Sequence, residues 1–201
     1  MKGTLPFALF LLCAVLLHAQ KFDMRIEGGA TFGQIEGDAS AGFRHVGYQF
    51  AVGTSFPMGA LRGQVLLGMV NKGSYIERDI YRTISLHYVE LSFLMGKRTA
   101  FLPRLAWTVG VSPAILARAS VRDLGEYNQI MSDNYRRMDP LPITVLIAYD
   151  MATHWQAYVR WSLSLLSVSK ERVGTYMIST SNTGQFNHIV NIGIAYNLFN
   201  V

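Results

Sequence analysis

Along most of the chain, bulky apolar residues fall on every second position. His45 to Phe56 carries the rhythm most cleanly: Val46, Tyr48, Phe50 and Val52 alternate with Gly47, Gln49, Ala51 and Gly53. A strand sends successive side chains to opposite faces, so the segment has one greasy face and one small or polar face. Before it, Phe22, Met24, Ile26, Ala30 and Phe32 alternate with Asp23, Arg25, Glu27, Gly29 and Thr31, up to a turn signal at Gly37-Asp38. After it, Pro57-Met58-Gly59 predicts a tight turn. A third strand is expected from Leu61 to Asn71, with Val65, Leu67 and Met69 on the greasy face and Gln64 and Gly68 opposite.

Five more strands follow by the same rule. The fourth, Ile84 to Met95, sets Val89, Leu91, Phe93 and Met95 against Tyr88, Glu90 and Ser92. The fifth, Arg104 to Ala117, contains Pro113, which lacks the amide a ladder needs and predicts a bulge or frayed end. The sixth carries Ile143, Val145, Ile147, Tyr149 and Met151. The seventh carries Trp155, Ala157, Val159, Trp161, Leu163 and Leu165, and the eighth Val190, Ile192, Ile194, Tyr196 and Leu198. The joins after strands two, four and six are short. Those over Lys72–Thr83, Ser120–Pro140 and Val168–Phe186 are long and polar, and the ends of the first can extend the flanking strands. Short turns at one end and long loops at the other are the habit of outer-membrane barrels. Both termini then fall on the short-turn, periplasmic side.

The character of the two faces points the same way. The polar face is mostly Gly, Ala, Ser, Thr, Gln and Asn, which suits the crowded interior of an eight-strand barrel. The greasy face spans about five positions per strand, matching an apolar band roughly 25 Å tall. Phe22, Phe32, Phe56, Trp155 and Tyr196 lie near strand ends, where aromatics sit at membrane–water interfaces. The competing architecture is a soluble β-sandwich with its aromatics in the core. The expected fold is an all-β, eight-stranded antiparallel up-and-down transmembrane β-barrel, closed first strand to last. A lipid-exposed sheet edge would leave amides unpaired at roughly several kcal/mol each.

Composition sharpens the compartment. Half of the 201 residues are hydrophobic and 15% are charged, yet no apolar run past the N-terminus is long enough for a membrane helix. Lys2, the apolar stretch Leu5 to Leu17 and the small residue Ala19 predict a signal peptide over residues 1–19, leaving 20–201 as the barrel. Cys13 follows Leu12, not the small residue lipid attachment needs, and it leaves with the leader. The mature chain then has no thiol for a disulfide or metal site. Its basic residues are scattered rather than gathered in an aromatic-laced stripe, which argues against nucleic acid as a partner.

Several short segments resemble the outer-membrane β-barrel family common in Bacteroidetes, the PorT-like or porin-family β-barrel proteins. They are Gly28-Gly29-Ala30, Gly47-Tyr48-Gln49-Phe50, Leu67-Gly68-Met69-Val70-Asn71-Lys72-Gly73, Tyr88-Val89-Glu90-Leu91, Arg160-Trp161-Ser162-Leu163 and Ile192-Gly193-Ile194-Ala195-Tyr196. Their order along nearly the whole mature chain carries the resemblance. It implies an eight-strand barrel in the outer membrane. It implies little about activity, although one named relative serves in protein secretion.

Candidate chemistry falls into three groups. Arg25, Glu27, Glu90, Asp150 and Arg160 share the inward parity, and charges inside a narrow barrel need partners. A network is expected in which Glu90 meets Arg160 or Arg25, either plugging the barrel or forming a path for protons or small solutes. In the loops, Tyr127, Tyr135, Arg136, Arg137 and Tyr176 are residue types favoured at binding surfaces. Ser85 with His87 is the one tempting catalytic pair, with His188 near the same rim, but His87 shares the outward parity of Val89. No enzyme, cofactor or metal site is expected; His45, His87, His154 and His188 lack ligand spacing. The reading is a monomeric barrel, solvated by outer-membrane lipid, with a structural or interaction role and an envelope or secretion protein as partner. A narrow-pore transporter is the alternative, and a lipid-modifying enzyme the third.

Overall fold

A computed structural model describes residues 22–37, 42–76, 82–123, 129–130, 134–170 and 184–198. The expected leader and the loop residues Tyr127 and Tyr176 lie outside them. The elements are β1 (Asp23–Glu36), β2 (His45–Met58), β3 (Leu61–Ile76), β4 (Arg82–Arg98), β5 (Leu105–Val111) and β6 (Ala114–Asp123). They continue with β7 (Gln129–Ile130), β8 (Met138–Asp139), β9 (Pro142–Asp150), β10 (Trp155–Ser164) and β11 (Phe186–Asn197). Neighbours pair antiparallel around a full circle, with β5 and β6 together forming the fifth stave and β1 closing on β11 from Arg25↔Asn197 to Glu36↔Phe186. The fold is an all-β, eight-stranded, closed antiparallel barrel.

The greasy face looks out. Val46, Tyr48, Phe50, Leu67, Met69, Val159 and Trp161 are all exposed, Val46 to 67%. On the opposite face Gln49 of β2, Glu90 of β4 and Arg160 of β10 are buried. A girdle of large apolar side chains on this scale finds no cover within the chain, and hydrocarbon is the solvent that suits it. Between β2 and β3 the turn is two residues long, Met58 pairing with Leu61. Gly59 there has φ +62°, a left-handed conformation that glycine adopts without strain.

The polar stretch after Asn71 extends the flanking strands at both ends: β3 and β4 keep pairing from Lys72↔Leu86 to Ile76↔Arg82. Lys72 and Ser74 are polar because they face a polar lumen, so their chemistry imitated a loop's. The irregularity near Pro113 moves. The ladder runs unbroken past Pro113, whose carbonyl accepts from the Leu91 amide at 2.9 Å. What changes there is the other neighbour, from β9 to β8, so the missing amide falls at a handover. The bulge lies four residues on: Tyr88 faces Leu116, His87 faces Arg118, and Ala117 is the extra residue.

Candidate functional site

The lumen is built from inward positions of every stave and divides into three storeys. At the short-turn end is a vestibule of about 550 Å³, with Asp23, Arg25, Arg62, Gln64, Arg98 and Gln156 among its lining. At the opposite, long-loop end, the outer end in the expected orientation, is a dry cluster. Ile35, Val70, Ile84, Leu86, Tyr88, Val121 and Ile189 pack there beneath Tyr135 and Val168. Between the two storeys stands a ladder of alternating charge.

The ladder starts where β1 places Arg25 and Glu27 two residues apart, hence on one face. Arg25 Nε lies 3.0 Å from Glu27 Oε2. Arg160 of β10 pairs with the other Glu27 oxygen and stands 3.6 Å from Glu90 of β4. Lys72 Nζ bridges Glu90 at 3.3 Å and Asp139 at 3.7 Å. Asp139 also accepts from Ser164 Oγ at 2.5 Å and Asn187 Nδ2 at 3.3 Å. All six charged groups are buried, Glu27 and Arg160 to 1% exposure. Three cations and three carboxylates cancel, which makes their burial tolerable. Side-chain amides extend the chain of contacts downward. Arg25 donates to Gln156, Gln156 donates to Asp150 at 2.5 Å, and Asp150 pairs with Arg98.

Of the inward charges named from sequence, Arg25, Glu27, Glu90 and Arg160 meet in this ladder. Asp150 does not join them. It sits at the short-turn end of β9, partly exposed beside Arg98, and reaches the ladder through Gln156. Two members escaped the sequence reading. Lys72 opens the polar stretch whose ends can extend the strands, and it keeps the parity of Gly68 and Val70. Asp139 sits in a two-residue strand beside Pro140, with no periodicity to mark it.

The loop residues also have definite places. Tyr135 is buried and forms a bridge with Ser169, so it caps the lumen instead of facing outward. Arg136 donates through Nε to the Ser169 carbonyl at 3.3 Å, and Arg137 is exposed. Segments 134–139 and 165–170 thereby pair over the barrel mouth. Ser85 and His87 face outward, as their parity requires, with Asn71 Nδ2 donating to Ser85 Oγ at 2.8 Å and lying 3.3 Å from His87 Nδ1. An amide, not a carboxylate, touches that histidine. His188 lies on β11, far round the barrel, with Glu36 at 3.3 Å and the Trp161 indole donating to its Nε2. Among the described residues, no three of His, Cys, Asp and Glu gather as a metal site would need.

Comparison with known proteins agrees on shape and gives no family. No protein-family model matches the chain, and no curated protein sequence matches it. Solved structures do. Neisserial surface protein A superposes with a TM-score of 0.52 at 11% identity, over 89% of this chain and 98% of its own. Ail, the attachment invasion locus protein of Yersinia pestis, superposes with a TM-score of 0.51 at 10% identity, over 89% and 99%. Ail in complex with the heparin analogue sucrose octasulfate gives 0.50 at 9%, over 89% and 99%. At such identities the likeness is one of fold: the eight-strand barrel of outer-membrane proteins.

Proposed function

We propose that the chain is a monomeric, non-conducting and non-enzymatic outer-membrane barrel that works as an interaction module at the cell surface. One observation carries the reading: the lumen is blocked twice, by a neutral ion ladder and by an apolar cluster capped by Tyr135 and Val168. A barrel closed in this way offers its partners a rim and not a passage. That rim is a built surface. β3 and β4 run 16 and 17 residues, beyond the 9–11 that a spanning strand needs, and segments 134–139 and 165–170 pair above the mouth. The Neisserial surface protein and Ail, an attachment protein with one structure holding a heparin analogue, support a binding role by analogy of fold alone. The resemblance to the PorT-like family of Bacteroidetes points instead to a partner within an envelope or secretion assembly.

Photocrosslinking in cells tests the reading. A photoreactive residue at Arg137 or Met138 on the rim is expected to give a discrete adduct, and one at Val159 on the lipid face none. Equal labelling at the three positions would remove the case for a rim partner. The vestibule favours one alternative, a narrow pore, because it brings water halfway through the lumen. Planar bilayers separate the two: steady unit steps abolished by Arg160→Ala would establish the pore and end the closed-barrel reading.

A further inference from the structure

We propose that the outer face of β4 and β6 carries a binding site for a lipid-borne phosphate group of the outer leaflet. The two strands should both show lipid an apolar face. They do so at Val89↔Ile115, where both side chains are exposed, Ile115 to 59%. One step higher the chemistry changes. Next in register come His87↔Arg118, Ser85↔Ser120 and Thr83↔Arg122, three consecutive outward pairs without an aliphatic side chain. These six residues line a cavity of about 300 Å³, and no carboxylate is among them.

The bulge makes this possible. Simple alternation from Ile115 would send positions 117, 119 and 121 outward, and Arg118 and Arg122 into the lumen. The extra residue Ala117 reverses the parity. Ala119 and Val121 are buried in the apolar cluster, and Arg118 and Arg122 are turned out. Bulges characteristically re-aim side chains in this way. The cost of a disrupted ladder is offset by two effects at once: a drier lumen and a basic outer face.

Height selects the ligand. The site begins one outward pair above the apolar row Val89, Leu91, Phe93 and Met95, or roughly 7 Å along the strand. That is the level of headgroups. Tyr48, on the outward face of β2, lies 3.3 Å from His87 and marks the same interface. The back wall is fixed. Asn71 is almost fully buried, holds Ser85 at 2.8 Å and is itself held by His45 at 2.8 Å. Two guanidinium forks with hydroxyl donors between them suit the oxygens of a phosphate monoester or diester.

The inference rests on placement in the outer membrane, so the test reads that placement separately. Sucrose-gradient fractionation first establishes that the chain floats with outer membrane; a soluble product would end the previous proposal whatever happens next. The barrel is then set in phosphatidylcholine nanodiscs doped with diphosphorylated lipid A or with its dephosphorylated form. Retained lipid is counted by native mass spectrometry. The phosphorylated form is expected to be retained and the dephosphorylated one not. Arg118→Gln with Arg122→Gln should weaken retention by about tenfold per arginine, as loss of a charge-assisted contact of about 1.4 kcal/mol implies. Arg118→Glu should weaken it further, and Lys97→Gln, at the periplasmic rim, should leave it unchanged. Equal retention of the two lipids overturns the proposal, as does undiminished retention by the double variant in a barrel that still shows its folded gel mobility. Inorganic phosphate serves as the free-anion arm. If it occupies the site while phosphorylated lipid does not, the lipid source is wrong and the proposal fails.

Discussion

The two ends of the lumen obey one parity rule and reach opposite solutions. At the outer end the inward residues are Ile35, Ile84, Leu86, Tyr88, Val121 and Ile189, packed dry under Tyr135 and Val168. At the short-turn end they are Asp23, Gln64, Arg98 and Gln156 around a cavity of about 550 Å³. The outer end excludes water by packing; the inner end admits it. An ion pair should therefore matter more the deeper it lies. Its partners lose solvation with depth, so that losing one partner leaves the other uncompensated. Near the vestibule, water and salt substitute for a missing partner. The ladder from Arg25 to Asp139 is the boundary at which one regime gives way to the other.

Breaking the boundary should have the largest effect. Glu27 holds both Arg25 and Arg160, so Glu27→Ala leaves Arg25 with amide partners alone and Arg160 with only the longer contact to Glu90. We expect a loss of about 5 kcal/mol, the upper end for breaking a buried pair. Denaturant unfolding in lipid vesicles would measure it. Combining Glu27→Ala with Arg160→Met should recover part of the loss, since a coupled pair is not additive. A single-variant loss under about 1 kcal/mol would show that the ladder is wet and the comparison mistaken.

The dry end should respond to volume instead of charge. Leu86 is fully buried in the outer cluster, and Leu86→Ala should cost about 3 kcal/mol by loss of transfer energy and by cavity formation. The same unfolding assay reads it. A loss near zero would mean that the cluster is loosely packed and the cap not a plug. Between the two ends, β11 offers a steric probe. Tyr158 lies across Gly193, and a Cβ there would meet its Oη at 2.6 Å and its Cζ at 2.7 Å. Gly193→Ala must push that ring away, and about 2 kcal/mol of overpacking is expected. Gly193→Ala with Tyr158→Phe tests the cause: relief by the smaller ring supports it, and an unchanged loss points to the backbone contact with Gly28 instead.

Strand period made the architecture legible. Wherever a strand separates greasy from small residues, as at Val46 to Val52, the sequence specifies which way each side chain looks. Legibility failed where both parities carry the same character. Val65-Leu66-Leu67 is apolar on both faces, and only the parity of Gln64 and Gly68 assigns Leu67 outward, where it is 54% exposed, while the buried Leu66 has no inward character of its own. Lys72 failed for the converse reason, because a polar residue facing a polar lumen has the composition of a loop. The apolar outer storey was missed as well. Small polar inward residues were expected throughout, whereas Leu86, Ile84 and Ile189 fill the upper lumen. The bulge at Ala117 carries no signal in residue type: alanine neither favours nor forbids it. It exchanges the faces of every residue after it, which is why the outward row of Arg118 and Arg122 emerges only from the register.

The smallest effect is also the sharpest control on depth. Asp150 pairs with Arg98 at the short-turn rim, where the Arg98 side chain is 48% exposed. Asp150→Asn should cost less than about 1 kcal/mol, because exposed pairs gain little over their hydrated state. Salt should remove even that. At 1 M the screening length falls to about 3 Å, so the difference between wild type and Asp150→Asn should vanish there. Most of the Glu27→Ala loss should survive the same salt, since Arg160 is buried to 1% exposure beyond the vestibule. Unfolding both variants at low and high ionic strength therefore separates depth from charge. If both losses shrink together, salt reaches the middle of the barrel and the lumen is not closed. If only the rim variant responds, the two ends differ in water, and the ladder marks how far water goes.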